Sequence, residues 1–340
     1  MTINAVELEN EVENVWNYCS SCSEAIDENS NGFSWTEDTD EIYCDYCSSH
    51  HLYWSDENEA WYRFSSNMPE NREDEYLEEE DNPDHRLNQW KPNPIFYGAS
   101  LENTFLGIEL EVELKDFSNS RIDLVNELNE KNWLNENKGL WYFHRDGSLD
   151  DGIEFVSHPF SFDFAKNTLD LSWLKKLADY GLRSWDTKTC GIHCHISREG
   201  FLSDTHVFAF AKLFYNNPRQ FIKLAGRESK DFASFDPEYR GELVPQIKKK
   251  HDLRRYVAVN LTNESTIEVR IFKGSLNETR VRSAIELVFA VHEYTKNLTI
   301  QDMNNGALKF DFFGSFLIEN ADKYPNTNHY LTKFDLVKGA

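Results

Sequence analysis

The sequence predicts an α+β fold: an antiparallel sheet with helices packed on one face, preceded by a small cysteine-bearing module. Three observations predict it. Strand-like runs of period two are mixed with helical runs in no strict βαβ rhythm, which disfavours a parallel sheet. Two CxxC pairs, Cys19/Cys22 and Cys44/Cys47, stand together at the N-terminal end. Charge divides the chain near the same place. Of 59 acids and 35 bases in 340 residues, residues 1–90 hold 24 acids and 3 bases, a net of −21. The other 250 residues hold 35 acids and 32 bases, a net of −3 against −24 for the whole chain.

The first segment, residues 1–66, holds all four CxxC cysteines. Each CxxC aims two thiolates at one ion, and four thiolates make a closed tetrahedral zinc site. The pairs are 21 residues apart, which a hairpin with one longer loop accommodates. His50 or His51 is an alternative fourth ligand. So small a module depends on its metal for much of its stability. Its acidity suits a protein partner rather than nucleic acid. Residues 67–94 are acidic, contain four prolines and have little apolar periodicity, which is linker composition. Residues 95–340 form the body. Strands are expected at Phe105–Leu114, Ile153–His158, Gly191–Ser197, Tyr256–Thr262 and Thr266–Phe272. Helices are expected at Ser120–Lys131, Asn167–Tyr180, Ser203–Asn217 and Glu278–Asn297. The last carries Val281, Ala284, Ile285, Val288, Phe289 and His292 at helical spacing, an amphipathic core-facing pattern.

The acidic balance argues against DNA or RNA as a partner, since that binding needs cationic surface. Met1 to Trp16 has neither a basic n-region nor an apolar h-region, and the run Leu287–Val291 is far too short to span a bilayer. The expectation is a cytoplasmic protein that does not use a membrane.

The chemistry is expected on the strands. Side chains alternate across a strand, so residues i and i+2 share a face. In GIELEVEL, Glu109, Glu111 and Glu113 oppose Ile108, Leu110, Val112 and Leu114. In IHCHI, His193 and His195 share a face and Cys194 points away with the isoleucines; in IEVRI, Glu268 and Arg270 share a face. Glu154 lies with Val156 and His158. A solvated face usually mixes Thr, Ser, Lys and Gln. Stacked carboxylates instead repel one another unless cations sit among them. If these strands share a sheet, the polar face is an oxygen-rich site with some nitrogen, suited to Mg²⁺ or Mn²⁺. Glu113 reads as a spare rim carboxylate and His158 as a structural histidine. Cys190 and Cys194 read as small buried hydrophobes, so a cysteine nucleophile is not expected.

The ordered set G-x-E-x-E (Gly107, Glu109, Glu111), DGS with E-x-x-S-x-P (Asp146, Gly147, Ser148; Glu154, Ser157, Pro159), C-G-x-H-x-H-x-S (Cys190 to Ser197), RY-x-x-x-N (Arg255, Tyr256, Asn260) and E-x-R (Glu268, Arg270) resembles the amidoligase family. These are carboxylate–amine ligases related to glutamine synthetase and glutamate–cysteine ligase. The resemblance covers about residues 95–300. It implies a curved, glutamine-synthetase-like antiparallel sheet. It also implies ATP and Mg²⁺ or Mn²⁺ as cofactors, an acyl-phosphate intermediate, and carboxylate and amine substrates, small or peptide-borne. By position it makes Glu109, His193 and Glu268 ligands of one metal and Glu111 and Glu154 ligands of another, with Asp146 and Glu113 competing for that second site. It sets His195, Arg254, Arg255 and Asn260 on the nucleotide, with Lys248–Lys250 as further cations for the triphosphate. Arg270 would hold the carboxylate and its developing oxyanion, and Arg227, in LAGR, would bind substrate. Such ligases are frequent in phage and bacterial gene neighbourhoods, which fits action in a host cytoplasm. Two other readings stand beside this one: a guanidino-kinase-like phosphotransferase, and a non-catalytic nucleotide- or peptide-binding adaptor with a zinc module.

Overall fold

The computed structural model describes residues 92–100, 103–114, 139–144, 149, 152–185, 187–248 and 255–337, and before them 17–20, 25–26, 33–35, 42–44, 48, 52–55 and 60–63. The chain divides into two units, Met1–Glu80 and Asp81–Ala340.

In the first unit, three two-stranded antiparallel ladders follow one another. They are β1 (Asn17–Tyr18) with β2 (Ala25–Ile26), β3 (Phe33–Trp35) with β4 (Ile42–Cys44), and β5 (Leu52–Ser55) with β6 (Ala60–Arg63). Cys19, Tyr43 and Leu52 are buried together. Cys44 ends β4. Cys22, Cys47, His50 and His51 lie outside the described residues.

The second unit is built on one antiparallel sheet. Its strands are β7 (Leu106–Leu114), β8 (Trp141–His144), β9 (Gly152–Ser157), β10 (Leu182–Arg183), β11 (Gly191–Ser197), β12 (Val259–Asn260) and β13 (Thr266–Lys273). The order is β12-β13-β11-β7-β9-β8, and β10 pairs with the C-terminal end of β7. One face is apolar. Ile108, Leu110, Val112, Ile153, Phe155, Cys194, Ile196, Ile267 and Val269 are all buried there in a single core.

Helices cover that face. They are α1 (Phe162–Asn167), α2 (Trp173–Asp179), α3 (Asp204–Asn216), α4 (Pro218–Ala225), α5 (Pro237–Ile247), α6 (Glu278–Thr295), α7 (Ile300–Asn304), α8 (Phe310–Glu319) and α9 (Pro325–Lys333). Central α6 packs on β11, and α4 packs on β13. Local chemistry sets the helix ends. Ser203 and Asn277 accept hydrogen bonds from the backbone N–H groups of His206 and Arg280, capping α3 and α6. Gly226, at φ +83°, closes α4 in the left-handed conformation.

Among the described residues the expected strands and helices appear in order, joined by β8, β10, α4, α5, α7, α8 and α9, and two of the expected elements are split or shortened. The helix expected over 167–180 is α1 and α2, because the Asp170 side chain accepts the Ser172 N–H at 2.8 Å and turns the chain between them. The strand expected over 256–262 contracts to β12, where Asn260 Oδ1 accepts the Thr262 N–H at 2.9 Å and bends the backbone away. The helix expected at 120–131 lies outside the described residues. No helix among the described residues is long and apolar enough to cross a membrane.

Candidate metal centre and its cleft

Cross-strand register assembles the opposite face. Glu109 pairs with His193 and Val156, Glu111 with Glu154, His195 with Glu268, Glu268 with Asn260, and Glu154 with His144. Four strands, β7, β9, β11 and β13, thus bring Glu109, Glu111, Glu154, His193, His195, Glu268 and Arg270 to one patch. The face is not solvated: Glu111, Glu154, His193 and Glu268 are 3–4% exposed and Arg270 is 5% exposed. Burying this many carboxylates is costly unless each is paired or holds a cation.

The contacts meet part of that cost. His193 Nδ1 lies 3.2 Å from Glu109 Oε2 and 3.6 Å from Glu268 Oε1, and its Nε2 lies 3.8 Å from Glu111 Oε1. His195 Nε2 lies 3.1 Å from Glu109 Oε1 and 3.8 Å from Glu268 Oε1, while its Nδ1 meets Thr266 Oγ1 at 3.2 Å. Glu268 accepts Asn260 Nδ2 at 2.7 Å and is ion-paired to Arg270. Glu111 accepts the Gly191 backbone N–H. His144 Nε2 is 2.9 Å from Glu154 Oε2.

The electrostatics follow from these pairs. Burial pulls His195 down, but Glu109 and Glu268 outweigh it and lift it to about 9. His193 rises for the same reason, chiefly through Glu111 and Glu109. Burial raises Glu109, yet His195 and His193 carry it well below the usual range. Glu268 also falls, against its burial, through His195, Arg270 and His193. Glu154 goes the other way. Burial and the Glu109 charge push it to about 7 despite His144. Tyr142, beside Glu109 and Glu154, is pushed to about 12, mainly by burial.

This donor set fits a divalent cation. Ligating atoms of Glu109, Glu154 and His193 lie within 4.8 Å of one another, as do those of Glu109, His195 and Glu268. Both groups share Glu109 and are richer in oxygen than nitrogen, the preference of Mg²⁺ and Mn²⁺. The grouping differs from the expected sets. Glu154 joins Glu109 and His193, and His195 joins Glu109 and Glu268, while Glu111 is occupied by the Gly191 N–H.

A cleft of about 1240 Å³ opens from Glu109, His195 and Glu268, ample for a multi-ring ligand. One wall is apolar, with Phe96, Phe105 and Pro159; the other is polar, with Asn263, Ser265 and Thr266. Arg255 lines it as an exposed cation 5.8 Å from the Tyr256 ring. Arg254, Asp146, Lys249 and Lys250 lie outside the described residues, and Lys248 is exposed at the end of α5.

Other expected residues find distinct places. Asn260 is buried and grips Glu268. Arg227 donates Nη1 to Cys190 O at 3.1 Å and Nη2 to Arg270 O at 2.9 Å, tying β11 to β13 across Gly191. A Cβ on Gly191 would come within 2.6 Å of that guanidinium, so glycine is needed there. Glu113 sits at the far end of β7 and accepts Thr189 Oγ1. Ile95 N–H donates to His158 Nδ1 at 3.2 Å, and burial lowers the pKa of that imidazole. Cys190 and Cys194 are buried, and burial pushes both thiols up. Sequence reading passed over Tyr142 and His144. The alternation in WYFH, applied as it was elsewhere, puts both on the polar face.

No family model matches the chain, and no curated protein matches it in sequence. Among solved structures it is similar to the complex between the prokaryotic ubiquitin-like protein Pup and its ligase PafA. That likeness has a TM-score of 0.30 and 12% identity, over 58% of this chain and 47% of that one. The matched part is under half of that chain's length.

Proposed function

We propose that the second unit is an ATP-dependent carboxylate–amine ligase that forms an amide through an acyl phosphate. The observation that carries this reading is the buried polar face, where four carboxylates and two imidazoles converge beside Arg270 at the mouth of a large cleft. Phosphoryl transfer needs such a focus of cation-binding charge, because little covalent chemistry is asked of the protein.

In the first step a substrate carboxylate oxygen attacks the γ-phosphorus, the bridging P–O bond breaks and ADP leaves. In the second an amine nitrogen attacks the acyl carbon. The C–O bond breaks, phosphate leaves with its electron pair and the amine's proton passes to solvent. Glu109, Glu154, His193, His195 and Glu268 would hold the divalent ions, with Glu111 oriented by Gly191. Bound Mg²⁺ or Mn²⁺ neutralises the phosphoryl oxygens. Arg270, a planar donor beside Glu268, holds the carboxylate and the oxyanion that develops on it. Arg255 faces the nucleotide's phosphates from the cleft wall, and Asn260 fixes Glu268. Cys19, Cys22, Cys44 and Cys47 bind structural zinc in the first unit, which docks a protein partner; metal analysis of wild type against Cys19→Ser tests that part.

Hydroxylamine serves as a surrogate amine. With ATP, Mg²⁺ and a panel of amino acids and peptides, a hydroxamate should form, and Glu111→Gln or Arg270→Ala should lower its rate at least about a hundredfold. Protein that binds ATP and Mg²⁺ yet forms no hydroxamate with any carboxylate refutes the ligase reading. Reversible phosphate transfer without an amine would make it a phosphotransferase instead.

A further inference from the structure

Arg227 also lines a second, more open cavity of about 390 Å³. A backbone irregularity brings a further cation beside it. Between the pairs Ile192/Phe272 and Cys194/Val269, β13 carries one residue more than β11, a bulge. Phe272 therefore points into the core and Lys273, opposite Gly191, comes to the polar side. Lys273 Nζ stands 4.2 Å from the Trp185 ring centre. The Arg280 guanidinium lies 5.2 Å from the same ring, 3.8 Å from Tyr330 and 5.4 Å from Phe334, and donates to Leu224 O at 3.1 Å. Lys223, Arg227 and Arg280 are the cations of the lining and Glu228 its one acid, while Lys273 stands beside the cavity over the Trp185 ring. The Trp185 indole remains 37% exposed.

Aromatic faces attract these cations without neutralising them. Like charges gathered at one cavity repel unless an anion sits among them, the converse of the carboxylate cluster. Stacking also fixes the plane of Arg280, and with Nη1 given to Leu224 O its remaining N–H groups are left for an oxyanion. Phosphate suits the site less well. The helix end here is the carbonyl end of α4 at Gly226, whose partial negative charge opposes a dianion more than a monoanion. An open, cationic site floored by an exposed indole matches a carboxylate carried on an aliphatic stem.

We propose that this cavity is a second binding site, for the carboxylate of a small acid or of an acidic side chain on a peptide. The claim concerns binding and stands apart from the ligase reading.

The test uses the full chain without nucleotide or metal. Tryptophan fluorescence is followed while L-glutamate, or inorganic phosphate in a parallel arm, is added. Glutamate should give a saturable change that is absent in Trp185→Phe. Charge reversal within a few ångströms should weaken it about tenfold or more in both Lys273→Glu and Lys223→Glu. Unchanged unfolding midpoints in the two lysine variants establish that the fold survives. The proposal is overturned if glutamate gives no saturable change, if binding persists undiminished in the folded lysine variants, or if phosphate binds more tightly than glutamate. Hydroxamate formation bears on none of these outcomes, so failure here is distinct from failure of the ligase reading.

Discussion

Asn260 offers the sharpest test of how the carboxylate cluster is held. It is 1% exposed, donates Nδ2 to Glu268 Oε2 at 2.7 Å and accepts the Thr262 N–H at 2.9 Å. Asn260→Ala removes a charge-assisted bond to a buried carboxylate, about 1.5–3 kcal/mol, and a backbone bond of about 1 kcal/mol. The sum, about 2.5–4 kcal/mol, corresponds to a fall of roughly 5–16 °C in the midpoint of the second unit. Asn260→Asp should fall further in EDTA, because it sets a second buried carboxylate against Glu268. Mn²⁺ should then recover most of the Asp variant's loss and little of the Ala variant's, since only Asp adds a ligand. Thermal unfolding in EDTA and in Mn²⁺ measures all of this. A fall below about 2 °C for Asn260→Ala, or no Mn²⁺ recovery for Asn260→Asp, refutes the reasoning.

Other expectations follow from the same geometry. Glu154 is raised to about 7 and His195 to about 9, so the folded state holds protons that the unfolded chain releases earlier. In EDTA, stability should therefore fall as pH rises, from the ordinary carboxylate range to about 7 through Glu154 and from the ordinary imidazole range to about 9 through His195. Saturating Mn²⁺ should flatten the slope, because metal replaces those protons; a flat metal-free profile would sink this account. Gly191→Ala should displace Arg227 from Cys190 O and Arg270 O and cost about 1–3 kcal/mol, measured by urea unfolding. Ser157→Ala strips the buried Ile108 N–H of its acceptor at 2.9 Å and should cost about 1–3 kcal/mol by the same measurement. Phe155→Ala, in the fully buried core, should cost about 3–5 kcal/mol.

Much of the site is legible in the sequence because strand geometry is simple. Period-two alternation is enough to put Glu109, Glu111, His193, His195 and Glu268 on one side, and β11 begins and ends where its pattern does, at Gly191 and Ser197. Pairing partners are less legible, since register depends on contacts between residues far apart in the chain. The same long-range dependence explains the metal groupings. Glu154 reaches Glu109 and His193 because β9 flanks β7, which no local pattern encodes. Side chain–backbone bonds at Asp170 and Asn260 shorten elements that hydrophobic periodicity extends. Arg227 shows another limit: LAGR marks an arginine after a helix, yet its carbonyl partners are Cys190, just before β11, and Arg270 on β13, 37 and 43 residues away.

The extra residue in β13 has a consequence for how this chain tolerates change. Upstream of the bulge, even-numbered positions of β13 serve the carboxylate cluster; downstream, the parity is inverted, and Lys273 rather than Phe272 faces the polar side. The strand thus works as a message with a frameshift built into it. Deleting Ile271 would remove the bulge and leave strict alternation, with Glu268 still opposite His195, Phe272 opposite Ile192 and Lys273 opposite Gly191. One codon's loss there would spare both ends, whereas a loss elsewhere in the strand would turn the side chains on one side of it to the wrong face. Length change is therefore tolerated at one place in this strand, and single-residue deletions across 266–273, scored by unfolding midpoint, should find position 271 the mildest.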